Sequence, residues 1–201
     1  MSSSRQYNGG LTREQFLYYE VKVVAGSLCD GMNREEALAE IQSHNLFQFP
    51  TERMIASIFH TCLKRIDALE SDALVYHLAK GTVEIGKQIN LYAMMKSNGI
   101  VWDFMVDVIG EKFRTQQLDF SRKDLNVFFM ELSNRIPTVA SWSDSTISKI
   151  KQVLTKMLVE CGYLDNVKSA QLNHVYLFPE LEEGIRENQD FEALASFNSF
   201  M

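Results

Sequence analysis

Asp103 and Asp107 lie four residues apart in "IVWDFMVDVIG". That spacing sets two carboxylates on one helical face, where they could hold a divalent cation for phosphodiester hydrolysis. The same spacing is the ordinary signature of a solvated or salt-bridged pair, and no other residue in the chain adds to it. His44, His60, His77 and His174 show no HExxH or other metal-ligand spacing. Cys29, Cys62 and Cys161 are far apart, odd in number and without CxxC, which argues against a zinc site and suits a reducing cytosol. No GxSxG, P-loop or GxGxxG occurs. The pair Glu182–Glu183 has no basic or metal-binding counterpart beside it in sequence. The expectation is a protein with no catalytic residues, no metal and no cofactor.

Binding a polyanion is better served. In "SWSDSTISKIKQVLTKMLVECGYL", Ile147, Ile150, Leu154, Met157, Leu158 and Cys161 fall on one side of a helix. Ser145, Ser148, Lys149, Gln152 and Lys156 fall on the other. Short hydroxyl donors and ammonium groups near a helix N-terminus suit a phosphate backbone. A second stripe, Arg53, Ser57, His60 and Lys64, opposes the apolar set Ile55, Ile58, Phe59, Cys62, Ile66 and Leu69. Either stripe is equally what a solvated helix face looks like. Lys149, Lys156, Arg53 and Lys64 are the candidates for phosphates. Ser145, Ser148, Gln152 and Ser57 are candidates for base edges.

The elements that would position these residues are nearly all helical. Thr12 with Gln15 reads as a capping box and Leu11 with Phe16 as a hydrophobic staple, predicting a helix from residue 13. Asn33 with Glu36 opens the next helix, "LFQFP" breaks it, and Thr51 caps a third. Residues 33–69 thus predict a helix-turn-helix whose break is longer than usual. Further helices follow in "SDALVYHLAK", "TVEIGKQINLYAMMKSN", "IVWDFMVDVIGEKFRTQQ" and "SRKDLNVFFMELSNRI", the last ended by Pro137. After the helix of residues 145–161, Tyr163–Leu164 and His174–Phe178 are β-prone and predict a hairpin. Its loop would be a wing, with Lys168, Asn173 and His174 able to reach a backbone. The predicted fold is mainly α: a helical bundle with an N-terminal helix-turn-helix (domain 1–118) and a C-terminal winged-helix-like unit with one small β-hairpin (domain 119–201).

The net charge of −6 argues against nucleic acid until its distribution is considered. From Pro179 onward there are six acidic residues and one basic, so most of the excess sits in an acidic tail that could compete with phosphate near the wing. The opening "MSSSRQYNGG" has no apolar core of a signal peptide, and no run approaches the roughly 20 apolar residues of a membrane span. A cytoplasmic protein without membrane contact is expected.

Four stretches, "GLTREQFLYYEVKVVAGSLCDGMNREEALAEI", "NLFQFPTERMIASIFHTCLKRIDAL", "KQINLYAMMKSNGIVWDFM" and "ASWSDSTISKIKQVLTKMLVECGYL", together resemble the BrxA family. "INLYAMMKSN" followed by "WDFM" is the most specific part, and the resemblance runs from about Gly10 to Glu187. BrxA proteins are small cytoplasmic components of bacteriophage exclusion (BREX) defence systems. The resemblance implies a mostly helical DNA-binding protein of winged-helix character, working beside BREX subunits that include a methyltransferase and an ATPase. No family motif fixes individual DNA contacts. The expected function is non-catalytic binding of double-stranded DNA through two helix-turn-helix faces. The alternative is an interaction subunit of the same complex that does not touch DNA.

Overall fold

Side-chain caps set where most of the helices begin. Asn33 accepts from the backbone of Glu35 and Glu36, and Glu36 returns the bond, opening α2 (Arg34–Ser43) as a capping box. Thr51, Ser71 and Thr82 each accept from the N–H three residues on and start α3 (Glu52–Leu69), α4 (Asp72–Lys80) and α5 (Val83–Ser97). The computed structural model describes residues 7–200. Residues 1–6, part of the opening stretch expected to lack a signal sequence, lie outside these.

The first helix departs from its sequence signals. α1 (Tyr18–Cys29) begins five residues later than the Thr12–Gln15 pair predicts. The Thr12 hydroxyl donates back to the Gly9 carbonyl within a 3-10 turn, Gly9–Thr12. Residues 14–17 form an irregular strap, because the carbonyls of Glu14, Gln15 and Phe16 are claimed elsewhere. Arg65, buried on α3, donates to the carbonyls of Phe16 at 2.6 Å, Gln15 at 2.7 Å and Glu14 at 3.0 Å. Asn90 on α5 adds a second bond to Phe16 at 2.7 Å. A helix through this stretch would need the same oxygens.

α5 is the hub. Ile89, Leu91, Tyr92, Ala93 and Met95 are wholly buried, and α1, α3 and α4 pack around it. α6 (Gly99–Asp103) continues through a π-helical stretch, Phe104–Gly110, into α7 (Glu111–Arg114). Then follow α8 (Arg122–Arg135), the one-turn α9 (Pro137–Ala140) and α10 (Asp144–Glu160). Pro137 therefore starts a helical turn at N1 as well as following the end of α8.

The stretch expected to be an acidic tail is part of the core. α11 (Pro179–Glu187) packs on α4 and α5 through Leu181, Gly184 and Ile185. At Gly184 any Cβ would come within 2.6 Å of Leu74, so only glycine allows that approach. A 3-10 segment, Phe191–Phe197, packs against the π-helical stretch, where Ser196 Oγ donates to the Met105 carbonyl at 2.8 Å.

Two further expectations are corrected. No strand forms among the described residues, so the predicted β-hairpin is absent. Residues 174–178 turn away, the Tyr176 carbonyl accepting from Gln88 and the Phe178 N–H donating to it. Also, α2 and α3 are not set as a helix-turn-helix. Gln42 donates to the Glu52 carbonyl near their connection, and Arg34 meets Asp67 at 2.6 Å at their far ends. Those far ends lie about 12 Å and about 22 Å along their helices, so a right-angled pair would leave them roughly 25 Å apart. The pair is an antiparallel helical hairpin, which the long connection of residues 44–51 permits.

Candidate nucleic-acid interface

Ser143 caps α10, accepting from the Thr146 N–H at 3.3 Å, and its hydroxyl also bonds those of Ser145 and Thr146. Ile150, Val153, Leu154, Met157 and Leu158 are buried. Ser145, Ser148, Lys149, Gln152 and Lys156 are all exposed along the opposite stripe. Lys149 and Lys156 form no ion pair with another described residue. Lys151, between them, is spent: its ammonium donates to Asn126 at 2.8 Å and lies 5.4 Å from the centre of the Phe129 ring, joining α10 to α8.

The loop after α10 comes back beside the segment that enters α8. Phe120 N–H donates to the Ala170 carbonyl at 2.9 Å, Leu172 N–H to Leu118 at 2.7 Å, and Asp119 and Gln171 form an antiparallel bridge. One more bond, Asn173 N–H to the Tyr163 carbonyl at 2.8 Å, closes the loop on itself. Its tip is a turn over Asn166–Ser169, stabilised by Asn166 and Ser169 bonding to each other and by the Asn166 side chain accepting from Lys168 N–H. Lys168 is exposed on this tip without an ion-pair partner among the described residues. Asn173 and His174 do not share that freedom. Asn173 ties Asp165 and Gly162, and His174 stacks on Phe113 with ring centres 6.1 Å apart.

α10, the strap and the loop tip border one groove of roughly 290 Å³, lined by Gln15, Phe16, Val153, Lys156, Val159, Glu160 and Val167. Lys156 and the neighbour of Lys168 thus face the same space. On α3, Arg53, Ser57, His60 and Lys64 are exposed, and no ion pair among the described residues holds either cation. This second stripe belongs to the helical hairpin, and the strap lies between α3 and α10.

Residues considered for catalysis are engaged otherwise. Arg135 bridges Asp103 at 3.4 Å and Asp107 at 3.6 Å, and Tyr7 donates to Asp103 at 2.8 Å. Among the described residues no group of His, Cys, Asp and Glu is placed to hold a metal ion. Arg65 and Asn90 were not singled out by sequence. Burial pulls the Arg65 guanidinium pKa down to about 10, which leaves it charged at neutral pH. Its signal was its position, three residues after Cys62 and four before Leu69, on the inward face of α3.

The BrxA family model matches residues 5–189. The chain belongs to the BrxA family. A BREX protein BrxA from Bacillus cereus (strain H3081.97) is 33% identical over 168 residues, 84% of each chain. A BREX protein BrxA from Escherichia coli O9:H4 (strain HS) is 26% identical over 182 residues, 90% of this chain and 85% of that one. A crystal structure of an uncharacterized protein from Magnetospirillum magneticum superposes with a TM-score of 0.80 at 23% identity, covering 95% of this chain and 97% of that one. The BrxA chain therefore shares its overall fold with that protein. No helix among its described residues is long and apolar enough to cross a membrane.

Proposed function

We propose that the chain is a non-catalytic, double-stranded-DNA-binding component of a BREX phage-defence system, acting in the cytoplasm beside other BREX subunits. The observation that carries this reading is the exposed row on α10, where Lys149 and Lys156 stand without ion-pair partners among the described residues, Lys156 sharing a groove with Val167, the neighbour of the exposed Lys168. Helix α8, helix α10 and a loop that comes back along the entry to α8 follow the chain order of a winged helix, with the Asn166–Ser169 turn as a reduced wing. Residues 119–178 would form the DNA-binding unit. Phosphate contacts from Lys149, Lys156 and Lys168 dominate, with Ser145, Ser148 and Gln152 nearest the base edges. Arg53, Ser57, His60 and Lys64 form a second, separate phosphate-contacting face. Fluorescence anisotropy with a labelled 20-base-pair duplex across a salt series tests the reading. Binding that falls steeply with salt is expected, and no binding at low salt would refute it.

The second reading, a protein-interaction subunit without DNA contact, is favoured by α8. Val127 and Met130 lie three residues apart on its outer face and are 38% and 59% exposed. It becomes the better account if the duplex is not bound.

A further inference from the structure

We infer that Arg122, between α10 and the wing, and Lys123 beside it on the first turn of α8 form a further phosphate-binding cluster. This inference rests on the DNA reading above. Two contacts locate Arg122. It lies one turn before Asn126, the residue that receives Lys151 of α10, so both occupy the same side of α8. It also lies two residues after Phe120, whose N–H is bonded to Ala170, and Lys168 lies two residues before Ala170. Arg122 therefore stands where the side of α8 that meets α10 and the tip of the returning loop converge.

The local charges leave these two cations available. Arg122 and Lys123 are exposed and form no ion pair with a described residue. The acids of the same turn are already matched. Lys112 lies 2.8 Å from Asp124 and 4.0 Å from Asp119, and Asp124 also accepts from Ser121 in the capping box. The ammonium of Lys151, fixed over Phe129, adds positive potential one turn along α8. An arginine here can take two oxygens of one phosphate, and the adjacent lysine the next phosphate. The footprint on a duplex then includes a backbone segment that neither α10 nor the α3 stripe reaches.

The test measures anisotropy of a labelled 20-base-pair duplex against salt for the full chain and three variants. R122A/K123A should lower the slope of log affinity against log salt by about two units, near 0.9 per phosphate contact. R122K/K123R should keep the parental slope within about half a unit, since the charges remain. If thermal melts show R122A/K123A to be misfolded, the single variants R122A and K123A are read instead, each expected to lose about one unit. A parental slope in the alanine variants, while K149A/K156A loses its two units, would overturn the cluster and leave the α10 face standing. No binding by the parental chain at any salt would overturn both.

Discussion

Lys149 and Lys151 sit two residues apart on α10 and have opposite fates. Lys151 is held between Asn126 and the Phe129 ring, whereas Lys149 has no ion-pair partner among the described residues. K149A/K156A should therefore weaken duplex binding for all sequences alike, reduce the salt slope by about two units and leave the melting temperature near parental. K151A should do the reverse, lowering the melting temperature with a smaller change in slope. Replacing Arg65 by Met strips a charged donor from three carbonyls and should cost roughly 3 kcal/mol or more in a urea titration. The thiols can be sorted in the same way. Cys62 is buried with its pKa pushed up to about 12, and burial also raises that of Cys161, whose Sγ donates to the Lys87 carbonyl. Cys29 is exposed, so a thiol reagent should label one cysteine promptly in the folded protein and all three after denaturation. At this scale helical periodicity placed the exposed stripes correctly. It could not show which cation was already engaged, because Asn126 lies 25 residues from Lys151.

The helices were legible where local chemistry decides them. Asn33 and Thr51 cap as their types predict, because a capping bond spans only three residues. Thr12 failed because Arg65, more than 50 residues away, takes the carbonyls a helix there would use. The hairpin failed for a related reason: the loop after α10 pairs with residues 118–120, and only one bond links Tyr163 to Asn173. On α10, Ile150, Leu154, Met157 and Leu158 are buried as periodicity predicts, with Val153 added and Ile147 only half-buried, and Leu154→Ala should cost about 2–5 kcal/mol in denaturant. The α8 capping box carries a pH signature. Burial opposes the charge on Asp124, but hydrogen bonds from Lys112 and Ser121 outweigh it and hold its pKa below the ordinary value. Its stabilising effect is complete above the unfolded pKa of about 4 and is lost as pH falls through the lower folded value. D124N should accordingly show a smaller loss of stability than the parent on acidification through that window.

The molecule as a whole is closed by residues the sequence presents as a polar appendage. Asp190 accepts from Tyr92 at 2.5 Å and from Lys96 at 3.0 Å, and Asn188 reaches the Leu69 carbonyl at 2.8 Å. Leu194 and Phe197 are buried. The acids of this segment stand out in the sequence, whereas the cover of its apolar residues lies on distant helices and leaves no local signal. Deleting residues 187–201 should therefore abolish the cooperative melt rather than tighten DNA binding by removing charge.

The same closure bears on how fast the native state can be reached. Helical proteins ordinarily fold quickly because their partners are near in sequence, and loop closure slows with separation. Here the bonds of Asn188, Asp190 and Ser196 span 119, 98 and 91 residues. Refolding from denaturant should thus show an early phase of helix formation and a slower one as residues 179–197 dock. Until they do, Leu74 and Tyr92 stay uncovered, and in that interval a second chain competes with the protein's own closing segment.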